Sequence, residues 1–143
     1  MKTYEESNYP HQDITYQLIG IGMEVHRTLG NGFAEILYKD ALVEEFHRNG
    51  ITCEREKKFE VEYKGIILPH FYYADFVIEG DIILEVKAQE GIHDQAVPQV
   101  INYLAVTKLN VGLIMNFGEA SLKFRRVIFS RKQSCQLQSE QSA

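Results

Sequence analysis

Ile14, Leu18, Ile21, Val25 and Leu29 recur at spacings of 4, 3, 4 and 4, which predicts an amphipathic helix. Asp13 is placed to cap its start, and Gly30-Asn31-Gly32 to end it. A second helix is predicted over about residues 34–49, with Leu37, Ala41, Leu42 and Phe46 facing inward and Asn49-Gly50 closing it. The period then changes from helical to alternating. Phe59, Val61 and Tyr63 alternate with Lys58, Glu60, Glu62 and Lys64, a half-exposed strand that runs into a Lys64-Gly65 turn. Residues 72–78 and 82–87 are apolar on both faces, as strands in the middle of a covered sheet are, with Glu79-Gly80-Asp81 as the hairpin turn between them. Helical spacing returns at Val97, Val100, Ile101 and Leu104. Because Pro98 fits only a first turn or a kink, the regular helix is expected mainly over 98–107. A buried strand at 111–115 and a more exposed one at 122–129 complete the order α-α-β-β-β-α-β-β, an α/β domain with a mixed sheet flanked by helices.

Charged residues inside this pattern change the picture most at Asp75, Glu85 and Lys87. If Gly80 centres the turn, cross-strand partners sum to 160, so Asp75 stands opposite Glu85, and alternation puts Lys87 on the same face as Glu85. Phe76, Ile78, Ile82, Leu84 and Val86 take the other face. Two carboxylates ~5 Å apart repel by about 3 kcal/mol at an effective dielectric near 20. Lys87 offsets part of this. A hard divalent ion such as Mg²⁺ offsets more, since it binds through one or two carboxylates while keeping several waters. Such an ion would polarise a phosphodiester oxygen, with the lysine steadying the nucleophile or the developing charge. The alternative is a cross-strand salt bridge Asp75–Lys87–Glu85 without catalytic consequence.

Composition sets the bounds. The 143 residues are 45% hydrophobic and 24% charged, an ordinary globular balance and the size of one domain. The domain is expected over 12–130, with loose ends at 1–11 and 131–143. Two cysteines, Cys53 and Cys135, exclude a disulfide scaffold or a cysteine zinc site and suit a reducing cytoplasm. The first ten residues lack the apolar run of a signal peptide, and no apolar stretch reaches bilayer length. The net charge of −5 divides unevenly: residues 1–100 hold 9 Lys/Arg against 18 Asp/Glu, and residues 101–143 hold 6 against 2. An acidic body argues against coating nucleic acid through bulk electrostatics, but leaves room for an enzyme with a local basic patch. That patch is Lys123, Arg125, Arg126, Arg131 and Lys132, which Arg55, Lys57 and Lys58 could extend. It reads either as a solvated strand edge or as a phosphate-contacting strip.

Four separated motifs occur in order. They are Gly32-x-x-Glu35-x-x-Tyr38, Asp75-(x9)-Glu85-x-Lys87, Gln99-Val-Ile-Asn-Tyr-Leu104 and Gly112-Leu-Ile-Met-Asn-Phe-Gly118. The second and third resemble the PD-(D/E)XK nuclease superfamily, and the whole set, over about residues 14–129, resembles its small bacterial and archaeal GxxExxY family. Ala74 stands where the superfamily name has proline. The resemblance implies a restriction-endonuclease-like fold and a Mg²⁺- or Mn²⁺-dependent nuclease acting on DNA or RNA. It implies that Asp75 and Glu85 are metal ligands, that Lys87 assists the attacking water, and that Glu35 completes or supports the acidic cluster. Gln99 and Tyr103, one helical turn apart, would face the same site.

Other readings stay beside these. Glu35 could serve only the helix dipole, and Tyr38 could simply pack at a helix–sheet boundary. His11, His26, His47, His70 and His93 show no zinc spacing, and neither cysteine has an activating partner in the sequence. A nuclease fold that binds nucleic acid or protein without turnover is the first functional alternative. A homodimeric interaction subunit pairing sheets or helices is the second.

Overall fold

The computed structural model describes residues 11–91 and 96–130; the tails, His93, and Arg131 and Lys132 of the basic cluster lie outside the described residues. The elements are α1 (Gln12–Leu29), α2 (Glu35–Arg48), β1 (Cys53–Tyr63), β2 (Ile66–Ile78), β3 (Ile82–Lys87), α3 (Ala96–Thr107), β4 (Val111–Asn116) and β5 (Lys123–Ile128), in the order the sequence predicts. They build a five-stranded mixed sheet in the order β1-β2-β3-β4-β5. β1, β2 and β3 form an antiparallel meander, α3 carries the chain across to β4 parallel to β3, and β5 returns antiparallel. No described helix is long and apolar enough to cross a membrane.

α1 and α2 bury one face of the sheet, packing Leu18, Val25, Leu42 and Phe46 on Phe76, Ile82, Leu84, Val86, Leu113 and Met115. α3 buries the other, packing Val100, Tyr103 and Leu104 on Val77, Ile83, Ile114 and Val127. Gly112 makes the second contact close: a Cβ there would stand 2.4 Å from a Val100 methyl.

Three local expectations are corrected. His11, in a left-handed conformation, holds the N-cap position of α1, while Asp13 lies within the first turn, where its charge meets the helix dipole. On α2, Tyr38 is fully buried and Leu37 is exposed, so the inward stripe starts one residue later than expected. Helix α3 begins at Ala96, before Pro98, which its first turn accommodates.

The β2–β3 register is the expected one: Phe76 faces Leu84, Val77 faces Ile83 and Ile78 faces Ile82, around a turn with positive φ at Glu79 and Gly80. Strict alternation fails farther from that turn. Phe76 and Ile78 lie in the core under α1 and α2, whereas Ala74 and Tyr72, of the same parity, lie against α3. Paired β1 does likewise, with Cys53 on the first side and Phe59 on the second. Both strands therefore change face at the unpaired positions Glu56 and Asp75, where Glu56 has φ 53°. This switch fixes the position of the polar centre.

Candidate active site

β3 delivers Glu85 and Lys87 towards the α3 side, by alternation with the buried Ile83. Glu85 is 4% exposed. Where the β2–β3 ladder ends, side chains take over its hydrogen bonds. The Asp75 N–H donates to Glu85 Oε1 at 3.3 Å, and the Val86 N–H donates to Asp75 Oδ2 at 2.8 Å. The two acids expected to meet across the hairpin do so.

Burial, the neighbouring Asp75 charge and a hydrogen bond between the two side chains push the Glu85 carboxyl up to about 8. Lys87, half-buried, lowers it only in part. The direct cation on Asp75 is Lys39. Its Nζ lies 2.6 Å from Asp75 Oδ1 and 2.9 Å from Glu56 Oε1. Burial works to lower the Lys39 ammonium, but hydrogen bonds to Asp75 and Glu56 outweigh it and hold the group above its ordinary range. The pairing with Asp75 that the alternative, non-catalytic reading gives to Lys87 is made instead by a lysine of α2. Lys39 went unread in the sequence, although it lies four residues after Glu35 and so on the same helical face.

Glu35 is the first residue of α2 and is half-buried. Its carboxyl is raised, first by burial and then by Asp75, with Lys39 and Lys87 pulling the other way. This brings Glu35 into the electrostatic neighbourhood of the other acids. Tyr38 positions this start of α2: its hydroxyl donates to the Gly30 carbonyl at 2.6 Å and accepts the Phe33 N–H at 3.3 Å, and its ring stacks on Phe117. The packing role considered for Tyr38 is the observed one.

On α3, Gln99 Nε2 donates to the Tyr103 hydroxyl at 3.0 Å, so Pro98 does not part them. The Tyr103 hydroxyl is raised by burial and then by the Glu85 charge, with the Gln99 hydrogen bond acting in the opposite sense. Its ring meets Tyr72 edge-on at 5.2 Å. Behind Lys87, the Gly112–Gly118 segment clamps the chain leaving β3. Asn116, wholly buried, accepts the Gln89 N–H and donates to the carbonyls of Gln89 and Gly91, and a Cβ on Gly118 would strike the Gln89 backbone.

The basic residues divide. Lys123, Arg125 and Arg126 are exposed on edge strand β5, the first two sharing the parity of buried Val127 and Arg126 lying over the Phe124 ring on the other face. Arg55, Lys57 and Lys58 lie on β1, the opposite edge of the sheet, and cannot extend the same strip. Arg55 is paired with Asp40, Lys57 with Glu54, and Lys58 sits over Phe71.

The donor set fits Mg²⁺ or Mn²⁺ in one manner. Among the described residues no group of three or more His, Cys, Asp or Glu side chains can hold a metal ion, so a closed cage of protein ligands does not fit. The Asp75–Glu85 pair, joined where the β2–β3 ladder ends, fits an ion held by two carboxylates and otherwise by water.

A family model described as the PD-(D/E)XK nuclease superfamily matches residues 12–127. The chain belongs to the PD-(D/E)XK nuclease superfamily. No curated protein matches the chain. The fold of this PD-(D/E)XK chain is similar to the crystal structure of SSO0001, with a TM-score of 0.52 and 16% identity over 73% of this chain and 55% of that one. The likeness covers little more than half of that protein and concerns the fold alone.

Proposed function

We propose that the protein is a metal-dependent nuclease whose hydrolytic centre is Asp75, Glu85 and Lys87, supported by Glu35, Gln99 and Tyr103. The observation that carries this reading is the meeting of buried Glu85 with Asp75 at the end of the β2–β3 ladder, with Lys87 two residues beyond. Asp75 and Glu85 would hold Mg²⁺ or Mn²⁺. When bound, the ion supplies Lewis acidity towards a phosphodiester oxygen. Glu85 would hold it as the carboxylate. Lys87 then orients the attacking water and balances charge that develops on the phosphoryl oxygens. Glu35, at the start of α2, would complete or support the acidic cluster. Gln99 and Tyr103 wall the α3 side through hydrogen-bonding groups. Lys123, Arg125 and Arg126 would contact backbone phosphates. Residues 12–130 would act as one domain, in a reducing cytoplasm.

Cleavage of DNA and RNA in Mg²⁺ or Mn²⁺, with chelator controls, tests the proposal. Asp75→Ala and Lys87→Ala should each lower the rate by about 100-fold or more, the range for a lost charge-stabilising group. Activity that survives both substitutions contradicts it. One observation favours a second reading, a nuclease fold that binds nucleic acid without cutting it: both Asp75 oxygens are already engaged, by Lys39 and by the Val86 N–H. Nucleic-acid binding without cleavage under any divalent ion would support that reading. Added Mn²⁺ separates the two, because an ion bound only by the folded state raises the melting temperature.

A further inference from the structure

A lysine buried to 8% exposure needs a partner, and Lys39 has two carboxylates. Its place follows from α2: four residues after Glu35, it projects from the same side of the helix, and the face switch of β1 and β2 brings Glu56 and Asp75 to meet it. Asp75 Oδ1 is the oxygen it takes, at 2.6 Å. Since the Val86 N–H holds Oδ2, the ammonium occupies the remaining oxygen of the carboxylate that the nuclease reading gives to a divalent ion. An ammonium and a doubly charged cation repel, and in a partly buried site water screens that repulsion poorly.

We propose that Lys39 is the resident cation of the acidic centre: a positioning residue that holds Asp75 in place and yields Oδ1 when a divalent ion enters, thereby setting the concentration of ion the site requires. This rests on the reading of Asp75 and Glu85 as metal ligands. Glu56, whose side chain is 53% exposed, already binds the same ammonium and keeps it beside the site after the exchange. Glu35 lies one turn before Lys39 on the same face of α2. The exchange needs only a swing of a flexible four-carbon side chain.

Calorimetric titration of the full chain with Mn²⁺ alone, without nucleic acid, tests this. Lys39→Met removes the charge and keeps the bulk, so it should bind Mn²⁺ about tenfold or more tightly than wild type. Lys39→Arg keeps the charge and should stay within about threefold of wild type, and Asp75→Asn should abolish binding. If Lys39→Met binds no more tightly than wild type, or Lys39→Arg matches Lys39→Met, the resident-cation role is overturned while the metal-ligand reading stands. If neither wild type nor Lys39→Met binds Mn²⁺, both fall. A measurement on wild type alone covers a variant that fails to fold. With ¹⁵N-labelled lysine, Mg²⁺ should shift the Lys39 ammonium resonance and speed its proton exchange several-fold, and an unchanged resonance in Mg²⁺-bound protein overturns the proposal.

Discussion

The β1–β2 hairpin has two halves that share a backbone pairing and little else. In the inner half, Cys53–Arg55 pairs with Phe76–Ile78, which also pairs with β3, and Phe76 and Ile78 are wholly buried. In the outer half, β2 has no β3 neighbour, and Tyr63, Ile66, Ile67 and Tyr73 are each more than half exposed. Glu56 and Asp75 stand at the seam. The difference explains why polar chemistry collects there. A carboxylate on the buried Phe76–Ile78 stretch would lack water and partners, while one in the outer half would lack the low-dielectric surroundings that strengthen its interactions. At the seam, backbone groups released by the ending ladder and charges from α2 and β3 satisfy the acids, and among the described residues no buried side-chain polar atom lacks a partner.

The largest expected effect comes from the inner half. Phe76→Ala removes a ring packed edge-on to Phe46 and should cost about 3–5 kcal/mol in denaturant-measured stability. A cost near zero would break the contrast. The seam should show itself in pH. Folding raises the Glu85 carboxyl to about 8, so the folded chain holds a proton that the unfolded chain releases near pH 4.5. The Glu85 contribution to stability is therefore fully present below that pH and is lost as pH rises through about 8, on the order of a few kcal/mol. Glu85→Gln should flatten the slope; a slope that persists unchanged would assign it elsewhere. Tyr38→Phe deletes the bonds to Gly30 and Phe33 and should cost about 1–2 kcal/mol, with a fall in cleavage as Glu35 loses its fixed position. Phe71→Ala, in the outer half, should change stability by about 0.5 kcal/mol or less. A cost rivalling Phe76→Ala would mean that the two halves are one cooperative unit.

Most of the hairpin could be read in advance because its determinants are local. Glu79-Gly80-Asp81 supplies the positive-φ turn, and a turn of known length fixes the register from Ile78–Ile82 to Phe76–Leu84, beyond which Asp75 and Glu85 meet through a side-chain hydrogen bond. The face switch was hidden because it depends on Glu56 adopting φ 53°, a conformation that glutamate does not advertise. On α2 the inward stripe takes in Tyr38 and leaves out Leu37, which hydropathy alone does not show because it ranks leucine above tyrosine. Lys39 was missed for a related reason. Charge on a helix reads as solvent-facing until a tertiary partner is known, and its partner Asp75 is 36 residues away. The i, i+4 relation to Glu35 was the available signal.

The central claim is that Asp75 and Glu85 form a cation site at this seam. Anomalous diffraction from a crystal equilibrated with Mn²⁺ tests it most directly. The account predicts a single strong peak within coordination distance of carboxylate oxygens of both residues, with Lys39 Nζ withdrawn from Asp75 Oδ1. Full-occupancy Mn²⁺ bound elsewhere, with the Lys39–Asp75 pair intact and no peak between the two acids, would contradict it.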